Sequence, residues 1–405
     1  MRVYIGIDWS EQKHNICFMN EAGGAIVEIE IKHKAEGFLA LDEMRAKLGV
    51  RREDSLVGIE TSHNLLVDYL VEKGYVVYVL APAKVKGSQS RRGVAGAKDD
   101  RKDARLIADI VRTDHAQMGT WEPQGKLVQQ MRAKVSLITF LTHSCVRYSN
   151  RLRAVLLRYY PAALKIFSST HTKIALAFIR AYSDPDLAAK LTLEEFKAFL
   201  KQNHSMRSNW VSTYFTRLKS PMPASSAHLT ATYQSEAVLL AGLLADSLAE
   251  KDREIKELTK LYEQHPDAYI FKSLPAAGLF LEPALLAKLG DHRSQFPTAA
   301  VLQAIAGSSP ITRQSGKHRS VQFRKACDRE LRFISQQWAK ASVRSCDWAK
   351  TYYLAVYRRS HSKNGAYRCL ANRWLAILWK LWQSGQTYDE TFLLQQRALR
   401  TLPHP

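Results

Sequence analysis

RVYIGID at residues 2–8 and SLVGIET at residues 55–61 are short apolar runs, and each delivers a carboxylate, Asp8 or Glu60, at or near its end. Apolar runs of this length, bounded by turn residues, read as buried strands. Between them, HNICFMN (14–20) and AIVEIEIKH (25–33) read as two more strands, joined by the turn EAGG (21–24). AEGFLALDEMRAKLG (35–49) has helical character and closes on Gly49, a natural position for a helix to end. Leu65 to Lys73 is helical and stops at Gly74, and YVVYVLAP (75–82) is a further strand ended by Pro82.

Three antiparallel strands followed by alternating helices and strands is the order of an RNase H-like α/β domain. Periodicity alone does not separate it from other α/β folds. From Lys84 to Lys98 the chain, KVKGSQSRRGVAGAK, has the character of a basic loop, and DDRKDARLIADIVRTD (99–114) reads as a helix. Asp100 and Asp103 lie three apart on that helix and share a face. Like charges so close repel, and divalent cations would neutralise them. Two cations about 3.5–4 Å apart activate a nucleophile and steady a leaving oxygen at a phosphodiester. The plainer reading is four surface carboxylates pairing with Arg101, Lys102 and Arg105.

Charge divides the chain unevenly. The 405 residues carry 59 Lys and Arg against 38 Asp and Glu, a net +21, with pI near 9.7. Residues 1–120 hold 18 of each sign, so the whole surplus lies beyond them. Residues 311–384 alone hold 16 basic and 3 acidic side chains. Such a surplus favours a polyanion, because each phosphate that is neutralised releases counterions.

Five scattered cysteines without a C-x-x-C pair argue against a zinc site and fit a reducing compartment. The N-terminus runs straight into strand-like sequence, and no apolar run has the length of a membrane span. A cytoplasmic protein acting at the nucleoid is expected, with no membrane partner.

Residues 126–160 keep apolar side chains at helical spacing until Pro161, and 238–264 form a second long helix. They bracket a less regular region, as a coiled-coil spacer or as core helices of one α domain. From about Phe271 a further unit begins, with LPAAGLFLEPALLAKLGD (274–291) resembling a helix–turn–helix pair. Three segments are expected: 1–120, 121–270 and 271–405. Trp338, Trp348, Trp374, Trp379 and Trp382 alternate with arginines. That pattern suits stacking on bases, but tryptophans at helical spacing are more often on the core side.

YIGIDWS (4–10), VGIET (57–61) and KDDRKDARLIA (98–108) resemble the signature blocks of the DEDD transposases of bacterial insertion sequences. This is the IS110 family, related to Piv-type invertases and carrying an N-terminal domain like the Holliday-junction resolvase RuvC. FPTAAVLQAIAGSSPITRQSGKHRSVQFRKACDRELR (296–332) resembles the family's transposase domain, so the likeness spans nearly the whole chain. It implies a mainly helical C-terminal domain and a metal site of Asp8, Glu60, Asp100 and Asp103 holding Mg²⁺ or Mn²⁺. It also implies a serine nucleophile in the Q-S-G element, here Ser315, that attacks DNA to form a phosphoserine intermediate. Arg313, Lys317, His318, Arg319, Arg324 and Lys325 would hold the nucleic acid around it.

Donor and target double-stranded DNA, a structured bridge RNA, and a homodimer or homotetramer sharing the active site are further implications of the resemblance. Where relatives have a P-G-I-G turn this chain reads Pro275-Ala276-Ala277-Gly278, and their K-R-G-N segment reads RKACD (324–328) here. Two competing readings are a metal-only, resolvase-like nuclease and a nucleic-acid-binding protein without catalysis.

Overall fold

β1 (Val3–Trp9) is the central strand of a five-stranded sheet of order β3-β2-β1-β4-β5. β2 (Lys13–Met19) and β3 (Ala25–Lys32) run antiparallel outward from one side of it. On the other side β4 (Ser55–Ile59) and β5 (Val76–Val79) run parallel to it. The computed structural model describes residues 2–62, 64–89, 100–205, 208–220, 226–316 and 318–391, and the chain divides into two units, Met1–Pro123 and Gln124–Pro405.

Both faces of β1 are covered, which explains why its sequence is a continuous apolar run instead of an alternation. Val3, Ile5 and Ile7 face a core completed by Phe38 and Leu41 of α1 (Ala35–Lys47) and by Leu66, Val67 and Leu70 of α2 (Leu65–Glu72). The chain continues through α3 (Pro82–Gln89) into α4 (Asp100–Asp114), whose Ala104, Ala108 and Val111 pack with Tyr4, Cys17 and Leu56 on the opposite face. The expected loop from Lys84 therefore begins as helix α3. Residues 90–99 lie outside the described residues.

Among its described residues the second unit is built of helices and one hairpin. α5 (Lys126–Tyr159) and α11 (Ala227–Tyr262) are its spine, each about 50 Å long at helical rise. They run antiparallel: Lys134 pairs with Glu254 at 2.7 Å and Arg151 with Glu236 at 2.6 Å. The region between them, read as irregular from sequence, is five short helices: α6 (Ala163–Ile166), α7 (Lys173–Ala181), α8 (Pro185–Lys190), α9 (Leu193–Gln202) and α10 (Ser208–Leu218). These enclose one core with the C-terminal half of α5 and the first half of α11.

A second core sits at the other end of the spine. It takes in α12 (Ala268–Lys272), α13 (Gly278–Leu289), α14 (Ala299–Ile305), α15 (Arg329–Ser342), α16 (Asp347–Ser360) and α17 (Lys363–Ser384). The expected spacer and C-terminal segments thus fall within one unit that has two cores. No described helix is long and apolar enough to cross a membrane.

One sequence reading changes here. The segment read as a helix–turn–helix pair gives α13 as one helix running through Pro283, which has no N–H to donate to the preceding turn. The tryptophans take the core side of their helices. Trp338, Trp374 and Trp382 are fully buried, and Trp348 nearly so. Each indole N–H is satisfied inside: Trp338 donates to the Pro275 carbonyl, Trp374 to Ser342 Oγ, Trp348 to Tyr388 Oη and Trp382 to Asp267. Trp379 is partly buried and donates to the Phe296 carbonyl at 2.7 Å.

Candidate active site

Register puts Asp8 and Glu60 side by side. Ile7 pairs with Ile59 across the parallel β1–β4 ladder, and the next residue on each strand is the acid. Such strand ends are where α/β sheets expose functional groups. Asp100 and Asp103 occupy the first turn of α4, where the positive end of a helix favours carboxylates.

Two glycines bring the helix to the strand. Gly6 of β1 lies two residues before Asp8 on the same face, and a Cβ there would overlap the Ala104 carbonyl oxygen and the Ala108 nitrogen of α4. Gly58, its register partner on β4, leaves no more room: a Cβ would lie 2.6 Å from Val111 Cγ2 and 2.8 Å from Ile107 Cγ2. Glycine inside a strand marks such close approach, and it is the sequence signal that could have located this contact beforehand.

With α4 seated so closely, carboxylate oxygens of Asp8, Asp100 and Asp103 lie within 4.8 Å of one another. Among the described residues these three form the group able to hold a metal ion. Three oxygen donors of this kind suit a hard divalent cation. Glu60 is not in that triplet, but it is close enough to feel it. Burial first, and then the negative charge of Asp103, push its carboxyl above the usual range. Beside the triplet a polar cavity of about 170 Å³ is lined by Asn15, Glu28, Glu30 and Arg101, with Asn15 the cross-strand partner of Asp8. Arg105, one of the cations of the plainer surface-pairing reading, pairs with Glu28, its Nη2 2.8 Å from the carboxylate.

On the other face of the sheet an aromatic layer supports the strand ends. Trp9 stacks over His14 with centroids 6.2 Å apart, and His14 Nε2 lies 2.9 Å from His33 Nδ1. His14 is fully buried, and burial together with the charge of His33 lowers its pKa to about 4.

Ser315 belongs to the second unit. It ends β6 (Ile311–Ser315), which pairs antiparallel with β7 (His318–Gln322), so the basic loop read from sequence is a hairpin. Gly316 takes φ +56° at the turn, a conformation that costs glycine little. Ser315, Arg313, His318 and Arg319 are all exposed. Arg324 and Lys325 follow β7, and Lys317 lies outside the described residues.

A brace that sequence reasoning missed fixes the hairpin's base. The Phe323 ring has the Arg332 guanidinium of α15 4.5 Å from its centroid and that of Arg368 of α17 at 4.4 Å. Asp328 then caps α15 by accepting from the Glu330 and Leu331 amides. Ala276, where relatives carry glycine, takes φ +56° and so holds a strained turn just before α13.

The carboxylate triplet and the basic hairpin each fall within a stretch that matches a transposase family. Residues 5–161 match the model of DEDD transposases of IS110 elements, and residues 268–354 match that of the IS116/IS110/IS902 transposase family. The chain is 30% identical to the mini-circle putative transposase for IS117 of Streptomyces coelicolor, over 99% of this chain and 98% of that protein. It is 26% identical to the uncharacterized 42 kDa protein of insertion element IS900 of Mycobacterium paratuberculosis, over 80% and 81% of the two chains. It is 22% identical to the uncharacterized 43.6 kDa protein of IS110 of Streptomyces coelicolor, over 96% and 95%. The chain belongs to the IS110 family of transposases.

Proposed function

We propose that this transposase cuts and rejoins DNA strands by combining a divalent-metal site of Asp8, Glu60, Asp100 and Asp103 with Ser315 as nucleophile, directed by a structured bridge RNA. The observation that carries the reading is the convergence of Asp8, Asp100 and Asp103 within 4.8 Å. The strand order β3-β2-β1-β4-β5, with acids at the ends of β1 and β4, supports an RNase H-like, RuvC-type domain beneath it. The position of Ser315 at the tip of a hairpin bearing Arg313 and Arg319 supports its access to a phosphodiester.

When bound, Mg²⁺ or Mn²⁺ would draw charge from the scissile phosphate and its leaving oxygen. Asp8, Asp100 and Asp103 would hold the cation, and Glu60, whose carboxyl burial and Asp103 push above the usual range, would complete the set on the neighbouring strand. Ser315 Oγ attacks the phosphorus, the bond to the leaving sugar oxygen breaks, and a phosphoserine linkage keeps the strand end for rejoining. Arg313, Lys317, His318, Arg319, Arg324 and Lys325 hold the phosphates around it. The charge surplus of the second unit suits donor DNA, target DNA and guide RNA together. A homodimer or homotetramer would present two or more copies of each catalytic element.

The test uses the full-length chain, double-stranded DNA spanning the flanks of its own gene, and RNA transcribed from those flanks. With Mg²⁺ the wild type is expected to give covalent protein–DNA adducts that Ser315→Ala abolishes, a loss of about 10³-fold or more. Asp8→Asn is expected to remove cleavage while the protein stays folded. Cleavage persisting in Ser315→Ala would replace the serine reading with a metal-only nuclease. Cleavage persisting in Asp8→Asn would remove the metal reading.

A further inference from the structure

We infer that His318 is the general base that takes the proton from Ser315. The inference rests on Ser315 being the nucleophile. A serine hydroxyl is a weak nucleophile until a base accepts its proton. The β6–β7 register pairs Ser315 directly with His318 across the turn. Residues opposed in an antiparallel pair point to the same face, with Cβ atoms about 4.5–5.5 Å apart. The two side chains therefore leave the hairpin on one face, at directly opposed positions of the register.

The rest of that face narrows the choice. Arg313 with its register partner Ser320, and Ile311 with its partner Gln322, complete it, while Thr312, Gln314, Arg319 and Val321 point the other way. Guanidinium groups have no acceptor, and amides and hydroxyls do not take up protons near neutrality. Among the described residues of the hairpin, His318 is the side chain that can. Imidazole is also the group whose ordinary charge change falls between about pH 5 and 8. Arg313 on the same face, and Arg319 and Arg324 nearby on the hairpin and its exit, are the charges around it, and they draw phosphate to the tip.

As Ser315 Oγ bonds to phosphorus, its proton passes to a His318 ring nitrogen. The bond between phosphorus and the leaving sugar oxygen breaks, and that oxygen keeps the electron pair and takes a proton from solvent. On rejoining, a sugar hydroxyl attacks the phosphoserine and loses its proton to solvent. The imidazolium then returns its proton to Ser315 Oγ as the Oγ–P bond breaks. One histidine serves both directions.

Adduct formation with the flanking DNA, its transcribed RNA and Mg²⁺ tests this against a simple phosphate-contact role. His318→Ala is expected to slow adduct formation about 100-fold, within the usual range for a lost general base, and added imidazole should restore part of the rate. His318→Arg supplies a phosphate-binding charge without a usable base, so it should be as slow as His318→Ala while binding DNA at least as tightly as the wild type. The wild-type rate should fall as the solution is made mildly acid, and both variants should lose that limb. Wild-type rate in His318→Arg, or an unchanged pH profile in His318→Ala, would overturn the role of His318 while leaving Ser315 standing. Adducts surviving in Ser315→Ala would instead overturn the reading beneath it.

Discussion

The carboxylates of the first unit and the serine of the second are held in opposite ways. Asp8, Asp100 and Asp103 sit on a strand buried on both faces and on a helix pressed so close that Gly6 and Gly58 have no space for a side chain. Ser315 sits on a two-stranded hairpin that is exposed almost throughout and braced by Phe323 between two arginines. Like charges need a rigid frame to stay together, because repulsion would otherwise part them. A nucleophile that must reach into a large polyanion needs exposure, a turn and a cationic surround. Close packing supplies the first need and an open hairpin the second.

Breaking the packed side should give the largest effect. Gly6→Val forces side-chain atoms into the α4 backbone at Ala104 and Ala108, where neither a rotamer change nor a flexible neighbour relieves the overlap. A loss of about 3 kcal/mol or more is expected, at or above the usual cost of overpacking, and chemical denaturation of the first unit would read it. Wild-type stability in Gly6→Val would mean that α4 is not seated on β1 as described.

Acid should weaken the same unit by a smaller amount. Buried His14, with its pKa lowered to about 4, binds a proton less readily folded than unfolded. The unfolded chain therefore holds the extra proton between its ordinary value near 6.5 and about 4. Stability contributed by neutral His14 is complete above that window and drains away as pH falls through it. Up to about 3 kcal/mol is expected to go by pH 4. A His14→Gln chain should show a flatter pH dependence between 6.5 and 4, measured by denaturant midpoints. An equal slope in both proteins would refute the assignment.

The hairpin side should respond in activity more than in stability. Phe323→Ala removes two cation–π contacts of about 0.5–1 kcal/mol each, and adduct formation is expected to fall several-fold with the first unit's unfolding unchanged. An unaffected rate would show that the brace does not position Ser315. The smallest change expected is a gain. Ala276→Gly relieves the φ +56° turn, and it should stabilise the second unit by about 0.5–1 kcal/mol after the greater freedom of unfolded glycine is set against it. Thermal unfolding would read it, and a net loss would mean that the turn carries no strain.

What the sequence made legible follows the same division. The first sheet could be read because β1 and β4 are apolar runs that end on acids, and their register then follows. The hairpin could not be, because ITRQS and HRSVQ are polar and exposed, with no buried face to impose alternation. The start of α11 was missed by eleven residues because its first turns are small and polar, and the five helices between α5 and α11 are too short to show a period. Tryptophans at helical spacing carry no mark of which way they face; only packing placed Trp338, Trp374 and Trp382 inside. The nearness of Asp100 and Asp103 to Asp8 was readable as a pattern of acids. Its physical cause is the pair of glycines, Gly6 and Gly58, that lets α4 close in, and a glycine inside an apolar run shows a close approach without naming the partner.

The most direct test of the central claim is to map the covalent adduct. Wild-type protein is reacted with its flanking DNA, the transcribed RNA and Mg²⁺, digested with nuclease and protease, and examined by mass spectrometry. The expected result is a nucleotide attached through phosphate to Ser315, present with Mg²⁺ and absent when Asp8 is replaced by Asn. DNA cleaved by the wild type with no adduct at all, or with the nucleotide on another residue, would contradict it.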